Sequence, residues 1–246
     1  MEMKKKIESA FLWIEKLFTT NHKCLSCGIE RRDTNDYSLC DECLQKFVAI
    51  KGTTCKKCGE MVVEGNIVCD RCKHTEFGFD KNVSFCEYNS ISARIVKKLK
   101  YDGVKYLANE IATLMSQKLG EFGEIDYVSF VPLSKNRLAE RGFNQSVLIA
   151  KCYSKINNIE LIDSLDRREN EIHQAGLSAR DRMKNISGAF LVKEKAKDKI
   201  KGKTVLIIDD VFTTGATLSE CAKTLKDAGT KCVYTTTFAK TELNKL

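Results

Sequence analysis

The segment VLIIDDVFTTGATL, from Val205 to Leu218, constrains the fold of this chain more than any other stretch. It begins with four apolar residues, which predict a buried strand ending at two adjacent carboxylates, Asp209 and Asp210. A short hydroxyl-rich turn containing one glycine then leads into a predicted helix. Ligands of open parallel sheets bind beyond the carboxyl ends of the strands. The segment therefore predicts an α/β fold and the place of its site.

The turn has the composition of a phosphate-binding loop. Backbone N–H groups are free at a helix N-terminus, and a glycine lets the backbone approach an anion closely. The residues predicted to hold a phosphate are Thr213, Thr214, Gly215, Ala216 and Thr217. Because carboxylates repel phosphate, the acid pair should face hydroxyl groups or a metal ion. A sugar phosphate satisfies both conditions, with Asp209 and Asp210 on the ribose hydroxyls and the loop on the 5′-phosphate.

Two other kinds of site fit the same residues less well. A receiver domain also places two acids after a strand, but it gives no role to a Thr-Thr-Gly-x-Thr loop. A Walker A motif, G-x-x-x-x-G-K-[ST], does not occur in the chain. The sugar-phosphate interpretation is therefore favoured.

The rest of the second half alternates between the periodicities of strands and helices. Strands are predicted at 83–88, 125–133, 203–210 and 231–239, and helices at 92–120, 144–156 and 216–228. The first helix is expected to break near Asp102 and Gly103, and the lysine-rich stretch from Lys193 to Lys203 is expected to be an exposed hairpin or connection. Alternating strands and helices predict a mostly parallel sheet with helices on both faces.

The front of the chain is dominated by cysteine. Eight of the twelve cysteines form four C-x-x-C pairs, a pattern that favours metal over disulfides in a chain without an export signal. Two pairs supply the four thiolates of a tetrahedral zinc site, whereas redox C-x-x-C pairs rarely come as four spaced copies. The predicted ligands are Cys24, Cys27, Cys40, Cys43, Cys55, Cys58, Cys69 and Cys72. Sequential pairing is preferred, and an interleaved pairing remains open.

Composition suggests two domains and an intracellular setting. Basic and acidic residues balance over residues 1–80, so the whole net charge of +8 falls on residues 81–246 and favours an anionic ligand there. The division is therefore placed between an N-terminal helix with two zinc ribbons (1–80) and an α/β domain (81–246). The helix at 1–19 has an apolar stripe that suits docking on the chain's own core or, less well, a membrane surface. The absence of a spanning segment or signal peptide predicts a cytoplasmic protein.

These residues together resemble a known family. The Asp-Asp and Thr-Thr-Gly-x-Thr segment resembles the signature of type I phosphoribosyltransferases for 5-phosphoribosyl-1-pyrophosphate (PRPP). The segments VPLSKNRLAERGFNQ (131–145), LKYDG (99–103) and QAGLSARDRMKNISGAF (174–190), behind a cysteine-rich front, narrow the resemblance to the ComF family. ComF proteins are phosphoribosyltransferase-like proteins linked to competence and DNA uptake. The resemblance covers nearly the whole chain. One departure is that Thr19, Thr20 and Asn21 stand where a proline is expected just before the first C-x-x-C pair.

The resemblance implies roles for further residues. The loop after the first core strand of such domains holds pyrophosphate, which implicates Leu133, Ser134, Lys135, Arg137 and Arg141. The alternative is that Arg141 and Asn144 only brace this loop. The charged segment 167–184 corresponds to the arm that closes over substrate, with Arg168, Gln174 and Arg180 as candidates. A solvated face is its simpler interpretation.

The resemblance also implies a reaction and partners. Asp209 and Asp210 become the catalytic pair of a pentosyl transfer from PRPP with Mg²⁺, while zinc is structural. Two non-catalytic alternatives stay open: a PRPP- or nucleotide-sensing module, and a single-stranded-DNA-binding scaffold. In either case the expected partners are single-stranded DNA and a DNA-uptake helicase or other competence proteins. Lys97, Lys98 and Lys100 form a basic cluster that permits contact with nucleic acid.

Overall fold

The architecture comes from a computed structural model of the 246-residue chain. It describes residues 23–31, 35, 37–47, 49–63, 65, 67–168 and 187–241. The chain divides into two compact units, residues 1–47 and 48–246. The predicted helix at 1–19 lies outside the described residues. Among the described residues, no helix combines the length and apolar character needed to cross a bilayer.

The first unit holds the first cysteine tetrad and the short helix α1 (Asp41–Gln45). The second unit contains the second tetrad as well as the whole α/β fold. The predicted boundary between residues 80 and 81 stays a prediction of where ribbon sequence gives way to α/β sequence.

The second unit contains seven strands and seven α-helices among its described residues. The helices are α2 (Asp70–His74), α3 (Ser90–Tyr101), α4 (Leu107–Ser116), α5 (Lys135–Arg141), α6 (Gln145–Asn157), α7 (Glu194–Ile200) and α8 (Ala216–Asp227), with a 3₁₀ turn at Leu119–Glu121. The strands are β1 (Lys81–Glu87), β2 (Tyr127–Phe130), β3 (Glu160–Leu161), β4 (Leu165–Arg167), β5 (Phe190–Val192), β6 (Thr204–Phe212) and β7 (Cys232–Lys240).

Five of these strands form one sheet in the order β1-β7-β6-β2-β3, and every neighbouring pair is parallel. The remaining two strands, β4 and β5, form a separate two-stranded antiparallel sheet. The prediction of a mostly parallel sheet is confirmed.

Helices pack on both faces of the sheet and bury its central strand, β6. Val205 and Ile207 of β6 pack in one apolar cluster with Leu218 and Leu225 of α8. The alternate residues of β6 point to the opposite face, where α6 packs on the strand and α4 packs on α6. The predicted helix break is confirmed: α3 ends at Tyr101, and Gly103 has a φ of +67°, which favours glycine.

One predicted element was wrong. The lysine-rich stretch expected as a hairpin or connection contains the helix α7. Ala196 and Ile200 are four residues apart, so they lie on the same face of the helix, and both are buried. The lysines occupy the remaining, solvent-facing positions, so charge density concealed an amphipathic helix.

Candidate phosphoribosyl site

The sheet has a topological switch between β2 and β6. From β2 the chain moves outward to β3 on one side, and it then returns to place β6 on the other side of β2. Loops leaving the carboxyl ends of these two strands diverge, and the crevice between them is where ligands of such sheets bind. The two segments predicted to bind pyrophosphate and ribose phosphate leave these two strands.

The acid pair lies at the carboxyl half of β6 and is tied to α6. Ser146 Oγ donates a 2.7 Å hydrogen bond to Asp209 Oδ1, and Gln145 Nε2 donates to Asp210 Oδ1 at 3.3 Å. Asp209 Oδ1 also accepts from the backbone N–H of Asp210 at 2.9 Å. Lys100, on the last turn of α3, forms an ion pair with Oδ2 of Asp210. The carboxylates are therefore held by side chains from two other helices.

This environment changes the pKa of Asp209. Burial, reinforced by the negative charge of Asp210, raises the pKa of Asp209 to about 7, against the lowering effect of the Ser146 hydrogen bond and Lys100. Asp210 is only 3% exposed, and its partner Lys100 supplies the compensating charge that a buried carboxylate requires. A carboxyl group that titrates near neutral pH beside an ion-paired carboxylate is typical of functional sites.

The predicted phosphate loop, residues 213–217, has the backbone geometry that its sequence predicted. Gly215 has a φ of +77° and precedes the first residue of α8, and Thr214 Oγ1 accepts a 3.3 Å hydrogen bond from the backbone N–H of Ala216. A Cβ at Gly215 would lie 2.5 Å from the Phe212 ring and 3.0 Å from the Phe77 ring. Thr213 is exposed and Thr217 is half-buried on the first turn of α8. The loop is thus a tight turn at a helix N-terminus, packed from below by aromatic rings.

The predicted pyrophosphate segment is shorter as a loop than expected. Only Val131–Ser134 is irregular, because the next seven residues, which include Lys135, Arg137 and Arg141, form helix α5. Ser134 Oγ caps this helix by accepting from the backbone N–H of Arg137 at 3.4 Å. The segment therefore offers the N-terminus of a short helix instead of an extended loop.

Two residues at the end of that segment have structural partners. Asn144 Nδ2 donates to the carbonyl oxygen of Val131 at 3.0 Å, and its Oδ1 accepts from the backbone N–H of Ser146 at 2.9 Å. The Arg141 guanidinium lies 5.2 Å from the centre of the Tyr101 ring and donates to Gln145. Asn144 fits the bracing alternative, while Arg141 lies beside groups that hold the acid pair.

The proposed arm is framed by β4 and β5, whose antiparallel pairing brings residues 168 and 189 together. Arg168 donates its backbone N–H to the carbonyl oxygen of Ala189 at 2.9 Å. Gln174 and Arg180 lie outside the described residues.

The sequence interpretation missed four residues that hold the site. Lys100 was read only as part of a basic cluster and Arg167 only as part of the charged arm, while Gln145 and Ser146 were given no role. Burial and the nearby positive charge of Arg137 lower the pKa of Arg167, while Asp209 raises it, so Arg167 lies within electrostatic reach of the acid pair. Lys100 lies in the segment 99–103 that carries the family resemblance, Gln145 ends the segment 131–145, and Ser146 follows directly. Their position in or next to these segments was the available sign of a role in the site.

The cysteines form two tetrads with sequential pairing. The Sγ atoms of Cys24, Cys27, Cys40 and Cys43 lie within 4.8 Å of one another, as do those of Cys55, Cys58, Cys69 and Cys72. The two knuckle turns repeat the same geometry: Gly28 and Gly59, with φ of +75° and +71°, donate their N–H groups to Cys24 and Cys55 carbonyl oxygens at 2.9 Å. Four thiol sulfurs converging on a point fit zinc, and the closed set leaves no position for a reactive water.

Comparison with known proteins agrees with this arrangement. Residues 14–73 match the family described as a double zinc ribbon domain, and residues 153–243 match the phosphoribosyl transferase domain. The fold and both domains therefore define a zinc-ribbon protein with a type I phosphoribosyltransferase fold.

Curated relatives are similar over most of the chain. Competence protein ComFC of Streptococcus pneumoniae is 29% identical over 227 residues, covering 87% of this chain and 97% of that protein. Competence protein F of Haemophilus influenzae is 26% identical, covering 85% and 93%. DNA utilization protein YhgH of Escherichia coli is 26% identical, covering 80% and 88%. These relatives and the two domain matches agree with the resemblance to the ComF family that the sequence carries.

Solved structures are similar at a greater distance. Glutamine PRPP amidotransferase from B. subtilis aligns with a TM-score of 0.38 and 19% identity, covering 54% of this chain. The chain spans 26% of the length of that protein. An adenine phosphoribosyltransferase aligns with a TM-score of 0.36 and 12% identity, covering 61% of this chain and 77% of that one.

Proposed function

We propose that the chain binds PRPP with Mg²⁺ in the crevice between β2 and β6 and transfers or senses its phosphoribosyl group during the handling of DNA. The observation that carries the proposal is the joint placement of Asp209, Asp210 and the Thr213–Thr217 loop at the switch point of the sheet. The acids fit the ribose hydroxyls and the loop fits the 5′-phosphate. The irregular stretch before α5 fits the pyrophosphate.

Phosphoribosyl transfer requires little covalent chemistry from the protein. The bond between ribose C1 and the pyrophosphate oxygen breaks, pyrophosphate leaves with the electron pair, and a nucleophile forms a new bond to C1 with inversion. Positive charge develops on the ribose in the transition state, so positioning and charge stabilisation dominate. Asp209 and Asp210 would orient the ribose and face that charge, while Lys135, Arg137 and Arg141 would balance the departing pyrophosphate.

The names of the relatives favour a role in competence. Several of them are named competence or DNA utilization proteins. We therefore infer that this chain acts in DNA uptake and natural transformation. It would do so in the cytoplasm, together with a helicase or other competence proteins. A PRPP-sensing module would use the same residues without turnover.

Isothermal titration of the zinc-loaded protein with PRPP and Mg²⁺ tests the central proposal. The native chain should bind, and Asp209→Ala/Asp210→Ala should not. The double variant of two exposed acids that pair with surface lysines, Glu160→Ala/Glu194→Ala, serves as the matched control and should bind as the native chain does. Failure of the native chain to bind would reject PRPP as the ligand. If the native chain binds PRPP, a second assay distinguishes transfer from sensing. It measures the release of pyrophosphate over time in the presence of candidate nitrogen nucleophiles.

A second candidate, contact with single-stranded nucleic acid, is favoured by a groove on α3. The groove encloses a cavity of about 290 Å³ and is lined by Tyr88, Ala93, Arg94, Val96, Lys97, Lys100 and Tyr101. Cations beside exposed tyrosine rings suit a phosphate backbone with stacked bases. Salt-dependent binding of an oligonucleotide that survives Asp210→Ala but is lost in Lys97→Glu would support this candidate. Binding that ignores Lys97→Glu would reject the groove.

A further inference from the structure

The second cysteine tetrad is hydrogen-bonded to strands β1 and β7 of the sheet. The carbonyl oxygen of Cys58 accepts hydrogen bonds from Asn82 Nδ2 at 3.1 Å and from Lys240 Nζ at 3.3 Å. Lys240, at the end of β7, is only 4% exposed and forms an ion pair with Glu60 at 3.2 Å. Its Nζ also lies 4.1 Å from the centre of the Phe212 ring. The ribbon is therefore fixed against β1 and β7 and, through Lys240, lies next to Phe212, the last residue of the strand from which the phosphate loop departs.

One side chain of this ribbon reaches the phosphate loop itself. Arg71 lies on α2 between two tetrad members, Cys69 and Cys72, and its Nη2 donates a hydrogen bond to the carbonyl oxygen of Thr214. Its guanidinium also lies 5.1 Å from the centre of the Phe77 ring. The Nη1 atom is buried and has no hydrogen-bond partner in the described part of the chain. The knuckle thus presents a cation whose donors are only partly used at the edge of the loop.

The contact fixes the direction in which the loop presents its donors. A trans peptide is planar, so the carbonyl oxygen of Thr214 and the N–H of Gly215 point in opposite directions. When Arg71 holds the carbonyl oxygen on the ribbon side, the N–H of Gly215 is turned away from the ribbon. The same contact keeps a carbonyl dipole from facing a bound anion. Phe212 and Phe77 restrict the loop from below, because a Cβ at Gly215 would lie within 3.0 Å of both rings.

The stability of this contact depends on the tetrad that flanks it. Helix α2 has only five residues, and a helix this short is not stable alone. Cys69 caps its N-terminus without a side-chain hydrogen bond, and Cys72 is 5% exposed in the core cluster. A metal bound to both cysteines would fix the backbone on either side of Arg71.

We propose that Arg71 is a positioning residue for the phosphate loop, so that zinc in the second tetrad sets the affinity of the site for a phosphorylated ligand. In this proposal the zinc does more than stabilise the ribbon. Through Arg71 it also supports a loop more than 140 residues away in sequence. The proposal rests on the proposed function in that PRPP is taken as the ligand. Its structural half, the dependence of the loop on Arg71, stands without PRPP.

Arg71→Ala, Arg71→Lys and the control Lys73→Ala test the proposal in the full-length protein. Lys73 lies on the same helix and pairs with Asp70 at 2.7 Å, so its loss removes a neighbouring charge without touching the loop. The dissociation constant for PRPP with Mg²⁺ is measured by calorimetry, the zinc content by elemental analysis, and the amide hydrogen exchange of residues 213–217 without ligand by mass spectrometry. Exchange reports loop order whether or not PRPP binds.

The expected result is that Arg71→Ala keeps two zinc ions per chain, exchanges faster at residues 213–217, and binds PRPP about tenfold more weakly, the loss of one charged hydrogen bond. Arg71→Lys should recover part of the affinity, and Lys73→Ala should match the native chain. Native exchange and native affinity in Arg71→Ala would overturn the inference and leave the proposed function intact. If the native chain fails to bind PRPP, the proposed function fails, while unchanged exchange in Arg71→Ala remains the result that rejects the loop contact.

Discussion

Replacing Asp209 by asparagine should stabilise the protein while removing its ligand binding. Burial and the charge of Asp210 raise the pKa of Asp209 to about 7, so its ionised form is disfavoured in the folded chain. An amide of the same shape carries no charge, and its oxygen can still accept from Ser146 Oγ and from the backbone N–H of Asp210. The substitution therefore keeps the hydrogen bonds and removes the electrostatic penalty.

The magnitude follows from the proton equilibrium. A carboxyl that titrates near pH 7 in the folded chain, against 3.8 for a solvent-exposed aspartate, destabilises that chain by about 4 kcal/mol at pH 7, since each tenfold change in proton affinity is about 1.4 kcal/mol. The folded state holds the proton more tightly than the unfolded state, so stability is lost as the pH rises from the unfolded pKa through the folded one. Between pH 5.5 and 7.5 the advantage of Asp209→Asn should grow by about 2 kcal/mol.

Thermal unfolding followed by circular dichroism at several pH values measures this difference. Acid weakens thiolate binding of zinc in both proteins alike, so the difference between them isolates Asp209. Asp126→Asn is a control of opposite sign, because hydrogen bonds from Thr204 and Lys203 lower the pKa of Asp126. That variant should lose stability at neutral pH. An Asp209→Asn protein that melts no higher than the native chain at pH 7.5, or a difference that does not vary with pH, would refute the reasoning.

Three further outcomes are expected. Gly215→Ala places a side chain on a left-handed backbone and against the Phe212 ring. It should lower the free energy of unfolding by about 2 kcal/mol and abolish PRPP binding. A native melting temperature would contradict the close packing of Gly215 on Phe212. Lys100→Met leaves Asp210 buried without its cation, which should cost about 3–5 kcal/mol and should be partly restored by Lys100→Arg in the same melting assay. Elemental analysis should find two zinc ions per chain, one for each tetrad, and a mercurial reagent should release both with a fall in melting temperature; one ion per chain would reject one of the two sites.

Local sequence determined the elements and the chemistry that each can carry. The apolar run before Asp209 makes a strand, the glycine at 215 makes a positive-φ turn, and the C-x-x-C spacing makes a knuckle, because each of these depends on residues a few positions apart. The same locality explains the error at α7. Eleven residues dominated by lysine gave a charge signal that outweighed the single buried pair of Ala196 and Ile200.

Tertiary structure alone decided which distant residues complete the site. Nothing near Lys100 in the sequence indicates that its ammonium meets Asp210, and nothing near Arg71 indicates that it reaches Thr214. The strand order β1-β7-β6-β2-β3 brings these groups together, and it depends on the burial of whole helices and strands. The pKa of Asp209 near 7 is likewise a property of the assembled site, because desolvation and the field of neighbouring charges exist only after the chain has packed.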